Sequence, residues 1–213
     1  MVVTNTNNNI MEDRDVWNIY NKIACEFSVT RANKWHWITS FVTCLPKGCS
    51  ILDIGCGNGR NMMHNGYNFK GVDASDEFVK MCRQKDLDVV LAAMCAFPYK
   101  SDSFDNAISI ASFHHLSTVQ RRILALRELH RILKPAGRVL MSIWSKEQPK
   151  ESKREFDNYG DIFVPWKNRH ETYNRYYYIF RIDEIKDLFD KCNFKIIKHE
   201  WIYGNEIFTI EKK

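Results

Sequence analysis

Polar and apolar positions follow two different periods along this chain. Near its start, Val16, Trp17, Tyr20, Ile23, Ala24 and Phe27 recur at the spacing of one helical face, which predicts an amphipathic helix over 14–28. A second helix is expected over 34–44, closed by Pro46-Lys47-Gly48. The pattern then shortens to β-prone apolar runs at 50–54, 69–73, 88–92, 105–110 and 137–144. Helices fit 60–65, 76–85 and 118–133, the last stopped by Lys134-Pro135-Ala136-Gly137. Strands separated by crossover helices predict an α/β fold with a doubly wound, mostly parallel sheet. A helix over 183–191 follows, then two alternating runs, Phe194 to Trp201 and Glu206 to Ile210, joined by Gly204-Asn205. That is the signature of an antiparallel hairpin closing the sheet.

Two segments stand outside this alternation. Residues 146–176 are rich in Lys, Asn and Tyr, broken by FVPW at 163–166, and read as a long insertion of the kind that usually carries function. Residues 2–9, VVTNTNNN, have too little apolar surface to offset their ordering entropy. A disordered tail is therefore expected over 1–12 and one domain over 13–213.

Composition narrows the picture. A chain of 213 residues, 45% hydrophobic, can bury one good core. It shows no bilayer-length apolar run and no basic, hydrophobic leader, which sets the expectation of a soluble, cytoplasmic protein, with the nucleus also open. Cys25, Cys44, Cys49, Cys56, Cys82, Cys95 and Cys192 form no C-x-x-C pair, so buried free thiols are expected and no metal site. The net charge of +5 is concentrated: residues 121–154 hold ten Lys or Arg and three Glu, a local +7, leaving the remainder at −2.

The candidate chemistry begins at ILDIGCGNGR, residues 51–60. Glycines after a first strand let backbone approach a ligand at a helix N-terminus, an arrangement usually suited to phosphate. Here the spacing is G-x-G-x-G at Gly55, Gly57 and Gly59, and Asp53 precedes it, which would repel a pyrophosphate. A ligand with a cation beside its nucleoside resolves the conflict, and S-adenosylmethionine has a sulfonium, an ammonium and no phosphate. Asp73, ending the next strand in FKGVDAS, can accept hydrogen bonds from both ribose hydroxyls. A nicotinamide oxidoreductase is disfavoured by the same Asp53 and glycine spacing.

D-x-G-x-G-x-G resembles the class I S-adenosylmethionine-dependent methyltransferases, whose Rossmann-like, seven-stranded sheet ends in an antiparallel hairpin. VWNIYNKIACEFSVTR at 16–31, ISIASFHHLST at 108–118, SIWSKEQ at 142–148, FVPW at 163–166 and RYYYIFR at 175–181 narrow the likeness. Together they resemble the eukaryotic wobble-uridine tRNA (carboxymethyluridine) methyltransferases, from budding yeast to the methyltransferase domain of the human AlkB-type tRNA hydroxylase. The likeness runs from about Val16 to near the C-terminus. It implies methyl transfer to the carboxylate of carboxymethyluridine at the anticodon wobble position, giving methoxycarbonylmethyluridine. It also implies cofactor contacts at Asp53, Gly55, Gly57, Gly59, Asp73, Ala74, Met94, Cys95 and Ile110. One departure is visible: many relatives place an acid after the third strand in D-A-L-x-x-P, whereas this chain reads AAMCAFP with Ala93 there. Adenine contact then rests on Met94 and Cys95 backbone and apolar walls.

An acceptor carboxylate is already nucleophilic, so positioning and exclusion of water are needed more than a strong base. The candidates are Arg31, whose planar fork could grip the carboxylate, and His115, as a hydrogen-bond donor with His114 orienting it. Trp144, at the end of the fifth strand, could stack on an unstacked base. Trp166, Tyr176 and Tyr177 in the insertion, and Arg121, Arg122, Lys146, Lys150, Lys153 and Arg154 in the basic stretch, are the candidate RNA contacts. The family implies a small zinc-binding activator protein pairing with the sheet edge, expected at the apolar strand Asp88 to Ala92. A methyltransferase for a small molecule or another RNA site, and a catalytically silent tRNA-binding scaffold, stay open at this point.

Overall fold

The computed structural model describes residues 16–30, 35–152, 154–168 and 171–213. The expected tail, Arg31 and Lys153 lie outside them. Two helices open the described chain, α1 (Asn18–Val29) and α2 (His36–Thr43). They are followed by β1 (Ser50–Ile54), β2 (Asn68–Asp73), α3 (Asp76–Arg83), β3 (Val89–Leu91) and β4 (Phe104–Ile110). After a 3-10 turn at Phe113–His115 come α4 (Val119–Ile132), β5 (Leu133–Trp144), β6 (Gly160–Lys167), β7 (Thr172–Ile179), α5 (Ile182–Lys191), β8 (Phe194–Ile202) and β9 (Asn205–Lys212).

The large sheet has the order β3-β2-β1-β4-β5-β9-β8, parallel from β3 to β5 and antiparallel at β9 and β8. The doubly wound sheet with its closing hairpin is thus present as expected. Period-two alternation explains how both faces are covered. Leu52, Ile54, Ala107, Val139, Met141 and Ile143 pack with Leu126 and Leu129 of α4 and Ile185 and Phe189 of α5. Their neighbours Ile51, Ile108 and Leu140 pack on the other face with Trp37, Ile38 and Val42 of α2. Ser75 caps α3, its hydroxyl accepting from Phe78 N, and Thr118 caps α4 in the same way through Arg121 N.

Several elements differ from the sequence reading. No helix forms over 60–65; single turns run through the glycine loop, Gly59 N donating to Cys56 O and Met62 N to Gly59 O. Six residues preceded by three left-handed glycines are too few to nucleate a helix. Lys134-Pro135-Ala136-Gly137 does not separate α4 from a later strand but lies inside β5 as a bulge opposite Phe104 and Asn106. The closing hairpin turns at Tyr203-Gly204, both at positive φ, rather than at Gly204-Asn205.

The insertion is where the difference matters most. Instead of one long loop it contains β6 and β7, an antiparallel pair forming its own two-stranded sheet. Burial alternates along β6, with Ile162, Val164 and Trp166 the more covered set. Pro165 concealed this strand in the sequence, yet proline is tolerated on an edge. The pair brings Tyr176, Tyr177 and Ile179 into the interior. Among the described residues no helix is long and apolar enough to cross a membrane.

Candidate active site

The C-terminal ends of β1, β2, β4 and β5 meet where open α/β sheets bind ligands. Gly55 leaves β1 at φ +68°, and a Cβ there would lie 2.5 Å from Ser112 Cβ. Ser112 cannot retreat freely, because its hydroxyl donates to Ile54 O at 2.9 Å. Gly55→Ala is therefore expected to destabilise the protein by about 2 kcal/mol or more, through αL strain and the clash, and to weaken cofactor binding together with it. Thermal melts with and without S-adenosylhomocysteine check this.

A first cavity, of about 160 Å³, opens beside the loop and is lined by Gly55, Gly57, Asn61, Asp73, Ala74, Met94, Ile110 and His115 beneath Trp17, Tyr20 and Phe27 of the N-terminal segment. Asp73 holds the loop in shape: Gly57 N donates to its Oδ2 and Ser75 N to its Oδ1, both at 2.8 Å. Burial raises its pKa to about 6, against these amides, which lower it. Asp53 lies behind the loop, completely buried, and neither of its oxygens has a partner. Burial first, then the charge of Asp73, pushes its pKa to about 8, with Arg60 opposing. Asn61 Oδ1 is likewise buried and unpartnered. The unmet groups on this side are all acceptors, which fits a ligand ammonium.

Three expected cofactor contacts do not line this cavity: Asp53 is buried behind the loop, and two more are elsewhere. Gly59 faces Leu87 and Cys82, where a Cβ would lie 2.3 Å from Leu87 Cδ1, so it shapes the turn. Cys95 is buried in the main core, its thiol donating to Arg121 O. Ala93 lines a small, mostly apolar cleft continuing from the first cavity, with Ala92, Met94 and Leu116, and Arg121 is on that cleft too.

A second cavity, of about 830 Å³, adjoins the first and shares Tyr20, Phe27, Arg60, Ile110 and Ala111 with it. This volume suits a nucleotide-sized group. Its wall includes Trp37, His114, Trp144, Arg154, Phe156, Ile162, Val164, Arg175 and Tyr177, so the unexpected hairpin builds about a third of it. Ala111, at φ +52°, marks the junction, its N–H shared between Ser142 O and Oγ, each 3.0 Å away.

The two histidines exchange their expected roles. His115 Nδ1 is 2.8 Å from Tyr176 O, so it carries the proton, and Nε2 accepts from Tyr20 Oη at 3.2 Å. Burial lowers its pKa to about 4, and it has no donor left for a ligand. It anchors α1, whose Tyr20 also meets Tyr177 Oη at 3.2 Å. His114 is fully buried, and burial followed by His115 holds its pKa well below the ordinary value. Trp144 N donates to its Nδ1 at 3.1 Å, so Nε2 bears the hydrogen, and that buried donor has no partner.

Trp144 has no face free for a base: it stacks on Tyr177 at 3.9 Å between centroids and 12°, with the Arg154 guanidinium 4.6 Å from its ring. Tyr176 is buried, donating to Asp161 at 2.6 Å, and is a structural post. Trp166 pairs with Tyr173 across the hairpin, away from the cavity. Arg122 is 1% exposed, 3.3 Å over Tyr178, and bonded to Leu116 O, Ser117 O and Glu184, so it cannot meet phosphate. Arg131, Lys134 and Arg138 are engaged by Glu128, Asp105 and Glu211, which breaks up the basic stretch. Lys146 lies 5.4 Å over Tyr159, outside the cavity wall. Tyr20, Trp37, Asn61 and Arg175 were not anticipated; the signal for Arg175 was a lone charge inside an aromatic strand, YNRYYYI.

Among the described residues no group of His, Cys, Asp and Glu could hold a metal. A methyltransferase domain family model matches residues 52–141. The tRNA (carboxymethyluridine(34)-5-O)-methyltransferase of Schizosaccharomyces pombe is 33% identical over 224 residues, covering 94% of this chain and 97% of that protein. The enzymes of the same name from Arabidopsis thaliana and, as ALKBH8, from Mus musculus are 42% and 40% identical over 139 residues, or 65% of this chain. This chain spans about a third and a fifth of their lengths, 34% and 21%. Among solved structures, 1,6-didemethyltoxoflavin-N1-methyltransferase of Burkholderia thailandensis, determined with S-adenosylhomocysteine, superposes with a TM-score of 0.71 at 16% identity, covering 100% of this chain and 92% of that one. At that identity the likeness speaks for the fold alone.

Proposed function

Because this chain belongs to the tRNA (carboxymethyluridine) methyltransferase family, within the class I S-adenosylmethionine-dependent methyltransferases, we propose that it methylates the carboxylate of carboxymethyluridine at the tRNA wobble position, forming methoxycarbonylmethyluridine. The observation that carries this reading is the opposite polarity of two adjoining cavities. On the loop side the unmet buried atoms are oxygens, Asn61 Oδ1 on the cavity wall and Asp53 Oδ1 and Oδ2 buried behind the loop. In the hairpin-walled cavity they are donors, Trp37 Nε1, His114 Nε2 and Arg175 Nε and Nη1. A cation therefore suits the first and an acceptor-rich anion the second.

S-adenosylmethionine, when bound, supplies an electrophilic methyl group on a sulfonium. Asp53 and Asn61 are suited to its ammonium, and Asp73 to its ribose hydroxyls. Ala74 and Met94, on the same cavity wall, would hold its base. The acceptor carboxylate is ionised near neutral pH, so no base is required, and His114 and His115, both held neutral, do not compete for it as cations. Tyr20, tied to His115 and Tyr177, covers the junction and excludes water.

Strand β3 supports the proposal of a small zinc-binding activator that adds a strand there. It forms the sheet edge, and its apolar Leu91 is 50% exposed. Nucleoside mass spectrometry of tRNA from cells lacking the protein tests the function. Carboxymethyluridine or its amide is expected to accumulate, and unchanged methyl ester would contradict the reading.

A further inference from the structure

We propose that Arg175 is the residue that recognises the acceptor carboxylate, an inference that rests on the reading of the second cavity as the acceptor site. Arg175 belongs to β7 and is 5% exposed, yet Nε and Nη1 are buried without a hydrogen-bond partner. Its guanidinium lies 5.3 Å from the Tyr177 ring and 5.9 Å from Phe27, which fix its plane without meeting its donors.

Arg122 supplies an internal comparison. It is equally buried, but its Nε donates to Leu116 O, its Nη2 to Ser117 O, and its Nη1 meets Glu184. That is how this fold satisfies an arginine whose work is structural. Arg175 has no such set of partners, and a buried cation left without them is costly unless an anion arrives. The carboxylates on the same wall, Glu155, Asp157 and Asp161, are all exposed, and Asp161 already accepts from Tyr176 Oη.

Trp37 Nε1 and His114 Nε2 are uncharged donors on the same wall. They suit the neutral carbonyls of a pyrimidine, while Arg175 suits the charge. The site would then distinguish a carboxylate from its amide, which has nearly the same shape but no charge.

The experiment compares binding of two anticodon stem-loop RNAs, one with 5-carboxymethyluridine and one with 5-carbamoylmethyluridine at the wobble position, in the presence of S-adenosylhomocysteine. The full chain is used as wild type, Arg175→Gln and Arg175→Lys. Wild type is expected to prefer the acid by roughly ten- to a hundredfold, the size of one charge-assisted interaction. The glutamine variant is expected to lose the preference and the lysine variant to keep part of it, both with unchanged affinity for S-adenosylhomocysteine. If Arg175→Gln loses S-adenosylhomocysteine binding, Arg175→Lys decides: full retention of the preference overturns the proposal. A glutamine variant that binds S-adenosylhomocysteine and still discriminates overturns the role of Arg175 alone. A wild type with no preference overturns the acceptor reading with it.

Discussion

Asp73→Ala is expected to lower affinity for S-adenosylhomocysteine by about a hundredfold or more, measured by calorimetry. The variant loses the group suited to the ribose hydroxyls, and it also releases Gly57 N and Ser75 N, each held by this carboxylate at 2.8 Å. Hydrogen bonds to a charged group contribute about 1.5–3 kcal/mol each, so losing the equivalent of two such bonds corresponds to at least a hundredfold in binding. Asp73→Asn should fall between, because its one carbonyl oxygen can accept from only one of the two amides. An alanine variant that binds normally would remove Asp73 from the cofactor site.

The fold was largely legible because its signals are local. Buried parallel strands read as apolar runs, and Gly55, Gly57 and Asp73 lie in one short loop and the strand beside it. The second cavity, proposed to hold the acceptor, was much less legible, since it depends on which residues meet across the fold. His114 and His115 are adjacent in sequence, but the carbonyl of Tyr176 and the amide of Trp144 decide which one retains a free donor. Arg122 was expected at RNA phosphates and Arg175 was not anticipated, yet packing buries both, one with partners and one with two donor nitrogens unmet. The hairpin of β6 and β7 was hidden by Pro165 and by polar residues on its outer face.

Asp53→Asn is expected to split stability from binding. In the folded protein Asp53 is pushed from 3.8 up to about 8 by burial and by Asp73, so folding takes up a proton between those values. Stability from this group is fully present below pH 4 and lost as pH rises through about 8. Asparagine removes the burial of a charge, and a gain on the order of 2 kcal/mol in the ligand-free protein at pH 8 is expected once the cost of its own buried amide is allowed for. Binding moves the other way. A ligand ammonium favours the ionised carboxylate, so wild type should release a proton on binding S-adenosylhomocysteine and bind more tightly at pH 7 than at pH 6. The variant should bind at least about tenfold more weakly and lose that proton release. Denaturant melts and calorimetry in buffers of different ionisation enthalpy separate the two effects. A variant that is less stable at pH 8 and binds as before would contradict this account of Asp53.

Methyl transfer in vitro tests the pairing of a cation site with an anion site most directly. The purified chain, alone and with the zinc-binding activator proposed to pair with β3, is supplied with methyl-labelled S-adenosylmethionine and the acid and amide stem-loops. Label is expected on the acid RNA only, as a base-labile ester at the wobble uridine. Label on neither RNA under both conditions, or equally on both, would contradict it.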